Sequence, residues 1–352
     1  MWLFLEPMDV WLFRDGQPFD ALSDHRAQSI FPPYPSVIQG AIRSHHLVVK
    51  NVDFREKKKI AEVVGTAEDY KDLRMRGPFL ARREKEKVVC YFPLPADAQP
   101  TDGNKFRPAS HPQRIPVSAT AGSPTSHLLG LGQEDQPKKV RSGLWLDERA
   151  LLAYLGDREV VGVPEEYLFR RESRFGIGID DARRTTREHA LYEVEFIRPC
   201  RKVGLLVQVE GYDGWPEQGV LRIGGEGRGA FFQRVEPSLW PAVPEELPPR
   251  FKIYFATPTC FQGGWQPVGG DWSRFFDGRV ELVAAAIHKY ESIGGYDWAN
   301  DGHKPARRYV PAGSVYYFEC LGHSRFKPNL IQNAVTDFGA QIGFGQIMVK
   351  EW

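Results

Sequence analysis

Apolar and polar positions divide this chain into many short blocks. The first, WLFLEPMDVWLF, places Trp2, Phe4, Val10, Leu12 and Phe13 on a strand broken near Glu6-Pro7. Arg14-Asp15-Gly16 is turn chemistry, because Asp hydrogen-bonds its own backbone and Gly accepts a positive φ. After Pro32, Pro33 and Pro35, Ser36 is read as an N-cap. Val37, Ile38, Ala41 and Ile42 then recur at helical spacing, and the helix runs on through His45, His46 and Leu47. Gly40 is expected to let this helix lie close to a strand, and Arg43 to project from its C-terminal half.

Further along, residues 53–64 read as a charged, exposed helix, and 69–88 alternate acid and base around MRGPFLARR. VVCYFPLP (88–95) is a strand, whereas 96–127 is rich in Pro, Ser, Thr, Asp and Gly and reads as a long loop or insertion. KKVRSGLWL returns to strand, Asp147 caps the helix ERALLAYL, and Pro164 starts another. An Arg-rich turn region precedes two strong strands, ALYEVEFI and KVGLLVQVE; VLRIGGEGRGAFFQRVE is strand, Gly-rich turn, strand. The proline-rich stretch 236–250 is the best linker candidate. Beyond it come a strand (FKIYFATPTCF), a helix-or-strand block (VELVAAAIHKY), a strand (VPAGSVYYFECL), a helix opened by Pro328 and stopped at Gly339, and a last strand after a glycine turn. The division expected is 1–240 and 241–352, with insertions at about 53–87 and 96–135. The fold class is α+β, and the order of elements in each half is compatible with a βαββαβ unit.

Composition narrows this little. The 34 glycines and 27 prolines among 352 residues favour short strands and turns. No apolar run approaches the ~18 residues that span a bilayer, and Glu6 and Asp9 interrupt the first apolar run, so it does not read as a signal peptide. Cys90, Cys200, Cys260 and Cys320 lie far apart without a CxxC, which suits a reducing cytoplasm and disfavours zinc. The net charge of +1 argues against a molecule coated in positive charge, though not against a local basic groove.

Four blocks carry candidate chemistry. Arg170 to Arg187 gathers Arg170, Arg171, Arg174, Arg183, Arg184 and Arg187 around Gly176 and Gly178. Guanidinium forks suit phosphates and bases, and glycines admit a nucleic-acid backbone; the alternative is a solvated loop whose arginines pair with Glu172, Asp180 and Asp181. RIGGEGRG (222–229), with Arg228, lacks the following helix that a nucleotide-binding loop needs. It is a structural turn or a glycine loop beside RNA. In GGYDWANDGHKPARRYVPAGSVYYF (294–318), Lys304, Arg307 and Arg308 stand near Tyr296, Trp298 and Tyr309. Aromatics beside arginines serve single-stranded RNA recognition, and inward packing is the alternative, for Trp298 especially. In IGFGQIMV, Gly343 and Gly345 make a tight turn, an approach for RNA, or both. His25, in SDHRAQS, is a surface residue or a proton shuttle. His45-His46 cannot both face one metal, no HExxH, GxSxG, GKS/T or paired-carboxylate motif appears, and no cofactor is expected.

EPMDVWLFRDGQPF followed by FPPYPSVIQGAIRS resembles the start of the Cmr-type RAMP subunit, the third Cmr subunit, of type III-B CRISPR-Cas effector complexes. RFGIGIDDARRTTREHALY, the GGE turn and the 294–318 block are similar to corresponding family segments, and the resemblance covers most of the chain. It implies two ferredoxin-like (RRM-like) RAMP domains with insertions and glycine-rich loops. It further implies a non-catalytic, cytoplasmic, RNA-binding subunit in antiviral defence. Such a subunit grips the 5′ tag of the crRNA and meets the large polymerase-like subunit and a neighbouring backbone RAMP subunit, with no membrane. Arg14, Arg43, Arg174, Arg183, Arg184, Arg228, Lys304, Arg307 and Arg308 are the RNA-binding candidates, with Gly343 and Gly345. The rival readings are a metal-independent RAMP endoribonuclease using His25, the equivalent subunit of a type III-A complex, and a protein-binding scaffold.

Overall fold

Leu3, Phe4 and Leu5 have no exposed surface, so the chain begins as an inner strand. The computed structural model describes residues 1–14, 26–67, 69–85, 87–114, 125–130, 142–180, 185–236, 243–297 and 302–352. In chain order the described elements begin with β1 (Trp2–Pro7), β2 (Arg26–Ala27), α1 (Pro35–Val49), α2 (Lys57–Val64), β3 (Arg74–Glu84), β4 (Lys87–Pro93), β5 (Ala98–Pro100), β6 (Lys105–Pro108) and β7 (Ser110–Arg114). Next come β8 (His127–Gly130), β9 (Leu144–Asp147), α3 (Glu148–Leu155), β10 (Val160–Val161), β11 (Val163–Pro164), β12 (Phe169–Asp180), β13 (Thr185–Pro199), β14 (Val203–Glu210), β15 (Gln218–Arg222) and β16 (Gly229–Arg234). The chain ends with β17 (Arg250–Phe255), β18 (Phe276–Asp277), β19 (Val280–Ala286), β20 (Glu291–Asp297), β21 (Gly302–Tyr309), β22 (Val315–Cys320), β23 (Arg325–Phe326) and β24 (Ile347–Glu351). This is an α+β chain with three α-helices and mostly antiparallel strands among its described residues.

The chain forms two units that interleave in sequence. The first comprises Met1–Val88, Glu166–Glu236 and Gly294–Ala306. Its main sheet runs β3-β14-β1-β16-β15, every neighbour antiparallel. Leu5 faces Leu205 across one edge of β1 and Phe232 across the other. Gly204 makes this pairing possible, since a Cβ there would stand 2.1 Å from the Leu5 carbonyl oxygen. α1 buries Ile38, Ile42 and His46 at helical spacing. The segment after β14 is pinned to this helix. His46 stacks on Tyr212 at 3.8 Å, its Nδ1 accepts the Trp215 indole N–H at 3.1 Å, and Lys50 pairs with Asp213 at 2.6 Å. A smaller sheet, β12-β13-β2, completes the unit.

The second unit comprises Val89–Glu165, Pro237–Ile293 and Arg307–Trp352. Its sheet runs β19-β22-β17-β24, again antiparallel, over an aromatic core in which Phe251 stacks on Phe318 at 5.1 Å and Trp272 meets Phe318 edge-on at 4.9 Å. Residues 89–165, grouped with the N-terminal part on sequence, cluster here. Asp97 is the reason in chemical terms: its buried carboxylate accepts the hydroxyls of Tyr154 at 2.8 Å and Tyr317 at 2.5 Å. Burial pushes the Asp97 carboxyl up, against the lowering effect of those hydroxyls. Lys252, 1% exposed, reaches Asp157 at 2.7 Å, so this buried ammonium is paired.

Several expectations are corrected. Ser36 lies inside α1; Tyr34 is the N-cap and Pro35 opens the helix, whose first turn needs no N–H from proline. Gly40 has no close neighbour: a Cβ there would meet nothing within 4 Å. The Arg-rich block begins as strand β12, not as a turn. Stretch 96–127 is not a loop throughout, because β5, β6 and β7 lie in it; 115–124 and 131–141 fall outside the described residues. Pro164 leads only to a 3-10 turn, Glu165–Tyr167. VELVAAA is strand β19, and Pro328 opens no helix. Gln332 and Asn333 take φ of 50° and 58°, and Val335 bonds Gly345 while Asp337 bonds Cys260, so this stretch is drawn out as a connector. The boundary sought near 240 lies at 237–242, outside the described residues. Asp147 does cap α3, accepting from the Ala150 N–H at 2.7 Å.

Removing the Asp97 acceptor strands two buried hydroxyls. Asp97→Ala is expected to lower unfolding free energy by about 2–4 kcal/mol and Tyr317→Phe by about 1 kcal/mol. Denaturant titration checks the ranking, and equal losses would contradict the shared-acceptor arrangement. Burial first, and Lys50 second, lower the His46 pKa from its usual 6.5. The neutral ring is the favoured form, so its contribution is complete above pH 6.5 and is lost as pH falls through the lowered value. The thermal midpoint should therefore fall on acidification below 6.5, with a shallower slope in His46→Gln. Identical slopes in the two proteins would rule this out.

Candidate nucleic-acid interface

Four stretches of the first unit bring charged side chains together around Phe196. β12 and β13 pair with Glu172 opposite Phe196 and Arg174 opposite Val194, so in this pleat Glu172 shares a face with Phe196 and Arg174 is one diagonal step away. Arg198 follows two residues after Phe196 on β13. Asp9 stands just beyond β1, where Met8 still bonds Gly229 at 3.2 Å. Arg228 comes from the glycine turn between β15 and β16. That turn docks on Leu12: the Gly225 N–H donates to the Leu12 carbonyl at 2.8 Å. Gly224, at φ +78°, lies so close that a Cβ would be 2.5 Å from the same oxygen, a position only glycine fills well.

The guanidinium carbons of Arg174 and Arg228 each lie 4.8 Å from the centre of the buried Phe196 ring, a cation–π arrangement. Glu172 accepts from Arg174 Nε at 2.8 Å and from Arg198 Nε at 2.5 Å. Arg198 first, and Arg174 second, bring the Glu172 carboxyl down to about 2. Asp9 reaches all three arginines, at 3.2 Å to Arg198, 3.6 Å to Arg228 and 3.8 Å to Arg174. Glu226 pairs with Arg228 at 3.2 Å. Three guanidinium groups thus face three carboxylates, and every member of the network has exposed side-chain surface.

Beyond this cluster the β12–β13 hairpin carries an apolar face. Phe175 is 71% exposed, Leu191 56% and Ile177 51%, and Ile177 pairs directly with Leu191. On the other face Gly176 is covered by the Tyr192 ring, which a Cβ at 176 would meet at 2.2 Å. Side chains alternate along the strands, so the apolar face is opposite to the one that holds Glu172, Arg174 and Phe196; on the arginine face the hairpin presents Tyr192, 37% exposed, an aromatic on which an unstacked base can pack.

The structure unites Arg174 and Arg228, and the other described candidates have the following surroundings. Arg14 is exposed, on a bridge to Ser29. Arg43 is absorbed by the fold: it donates to Gln39 at 3.2 Å and the Thr66 carbonyl at 2.9 Å, over the Tyr70 ring. Lys304 is half-buried on β21. Arg307 lies 3.9 Å from the centre of the Phe338 ring and Arg308 4.9 Å from that of Tyr290. Gly343 and Gly345 are buried. The Gly343 carbonyl accepts from Thr257 at 2.8 Å, and Gly345, at φ +70°, would put a Cβ 2.6 Å from Thr336. Both glycines serve an internal turn. Arg183, Arg184, Trp298 and His25 lie outside the described residues. The pairing of Arg174 with Glu172 matches the alternative reading of the Arg-rich block. Asp9, Phe196 and Arg198 were missed, and only the position of Arg198 at the end of the strand ALYEVEFIRP could have signalled one of them. Among the described residues no group of three or more His, Cys, Asp or Glu could hold a metal ion, and no helix is long and apolar enough to cross a membrane.

This chain is similar in fold to two cryo-EM structures of the type III-B Cmr-beta complex. For the one bound to cognate target RNA the TM-score is 0.54 at 17% identity, over 99% of this chain and 96% of that chain. For the one bound to cognate target RNA and AMPPnP in state 1 the TM-score is 0.54 at 16% identity, with the same coverage. A crystal structure of the Csm3-Csm4 subcomplex of the type III-A CRISPR-Cas interference complex aligns with a TM-score of 0.34 at 12% identity, over 93% of this chain and 99% of that one. No curated protein matches the sequence. The family model described as CRISPR-associated protein (Cas_Cmr3) matches residues 3–352, and by that match the chain belongs to this family.

Proposed function

We propose that the chain is a non-catalytic RNA-binding subunit of a type III-B effector complex. In this reading it grips the 5′ tag of the crRNA and docks the large polymerase-like subunit and a neighbouring backbone RAMP subunit, in the cytoplasm. The observation that carries the reading is the convergence of Arg174, Arg198 and Arg228 on Asp9, with Arg174 and Arg228 also over the Phe196 ring. Arginine forks supply phosphate contacts that orient a strand, while Tyr192, on the same face of the hairpin as Arg174, offers packing for a splayed base. Family membership and the fold shared with Cmr-beta structures support the assembly.

The two units are read as ferredoxin-like RAMP domains. Strand order supports this. In β1, β3, β14 and β16, and again in β17, β19, β22 and β24, the first strand lies between the third and the fourth, as in a βαββαβ fold. In the second unit the crossover positions hold connectors and 3-10 turns among the described residues.

Binding of guide RNA with and without its tag, measured across a salt series, tests the function. Arg174→Ala with Arg228→Ala is expected to weaken tagged RNA about tenfold or more and to flatten the salt dependence by about 0.7 per lost phosphate contact. Unchanged affinity and slope in a folded double variant would overturn the assignment. RNA incubated without metal should remain intact, and specific cutting abolished by His25→Ala would overturn the non-catalytic part.

A further inference from the structure

The carboxylates of the arginine cluster are not equivalent. Glu172 is held tightly, at 2.5 Å and 2.8 Å to the two Nε atoms, and fixes the geometry of Arg198 and Arg174. Asp9 touches Arg198, Arg228 and Arg174, but at 3.2, 3.6 and 3.8 Å. Its side chain is 50% exposed and follows Met8, itself 66% exposed. An anion that accepts one hydrogen bond, from Arg198 at 3.2 Å, makes longer ion pairs with two more guanidinium groups and can return to water at small cost is in the position a phosphate would take.

We infer that Asp9 is a displaceable stand-in for an RNA backbone phosphate at an anion site formed by Arg174, Arg198 and Arg228. This rests on the RNA-binding reading above and adds how that site is regulated. With Asp9 in place the cluster is neutral, and a stray polyanion gains little from long-range attraction. An RNA strand that also packs against the hairpin can exchange its phosphate for the Asp9 carboxylate, keeping the charge-assisted hydrogen bonds and releasing Asp9 to solvent. Glu172 stays in place as the clamp. Asp9 therefore sets selectivity: it raises the threshold for RNA that makes phosphate contacts alone.

The experiment measures binding of a fluorescent single-stranded RNA carrying the tag, and of an oligouridylate of equal length, to the whole chain across a salt series. The proteins are wild type, Asp9→Asn, Glu226→Gln and Asp9→Asn with Arg228→Ala. Asp9→Asn should bind the oligouridylate about fivefold more tightly, with a salt slope steeper by about 0.7. Tagged RNA should gain less, so discrimination narrows. The gain should shrink when Arg228→Ala is added, because Arg198 and Arg174 remain. Glu226→Gln, which relieves only Arg228, should give a smaller gain in the same direction and keeps the test decisive if Asp9→Asn does not fold. A folded Asp9→Asn protein that binds both RNAs as wild type does, or more weakly, overturns the inference and leaves the RNA-binding reading standing. So does a gain that Arg228→Ala leaves undiminished. RNA binding absent from every protein overturns both. A purely structural Asp9 would lower the thermal midpoint without steepening the salt slope.

Discussion

Pairing of β1 on both of its edges is the constraint from which the first unit follows. Leu3, Phe4 and Leu5 are enclosed by β14 on one side and β16 on the other, and a slip of one residue would turn their side chains to the opposite faces. The chain leaves this strand in a fixed direction and immediately joins another sheet: Trp11 and Ile197 exchange backbone hydrogen bonds at 2.9 and 2.8 Å. Val10 and Leu12 pack with Ala27, Val194 and Phe196. Residues 8–13 thus stitch two sheets, and the same stretch supplies the Leu12 carbonyl on which the glycine turn docks. The arginines meet because this short segment reaches both the hairpin and the turn.

Much of this was legible in the residues, and the reasons differ from place to place. Strands with continuous apolar runs, such as KVGLLVQVE and VPAGSVYYFECL, declare themselves because both faces are buried. The Asp147 cap was readable because its partner is three residues away. The β12 strand was not, since its glycines and arginines imitate a loop. What makes it a strand is sixteen and twenty-four residues away, at Tyr192 over Gly176 and Phe196 opposite Glu172. The stretch after Pro328 misleads in the other sense. Its apolar residues fall at helical spacing, but the Val335 and Asp337 N–H groups donate to the distant Gly345 and Cys260 carbonyls rather than along a helix, and bonds of that range leave no local periodicity.

The site shows the same division. Arg174 and Arg228 could be picked out by residue type, but not their company. Asp9 is separated from Arg174 by more than half of the first unit's sequence, and an arginine count cannot tell a cationic surface from a compensated one. Arg43 is the converse: it looked like a projecting cation and is spent inside the fold, on Gln39, Thr66 and Tyr70. Burial and pairing, not sequence density of charge, decide which arginines remain accessible.

The apolar hairpin face has a further consequence. Phe175, Ile177 and Leu191 lie on paired strands, and the outer edge of β12 has no strand partner among the described residues. A long edge with exposed branched and aromatic side chains is a template for adding another strand. A chain of this kind is safest when synthesis is matched to its assembly partners, because the surface that makes it useful in a complex also makes an excess of it prone to self-association. Subunit stoichiometry then becomes a matter of colloidal stability as well as of architecture.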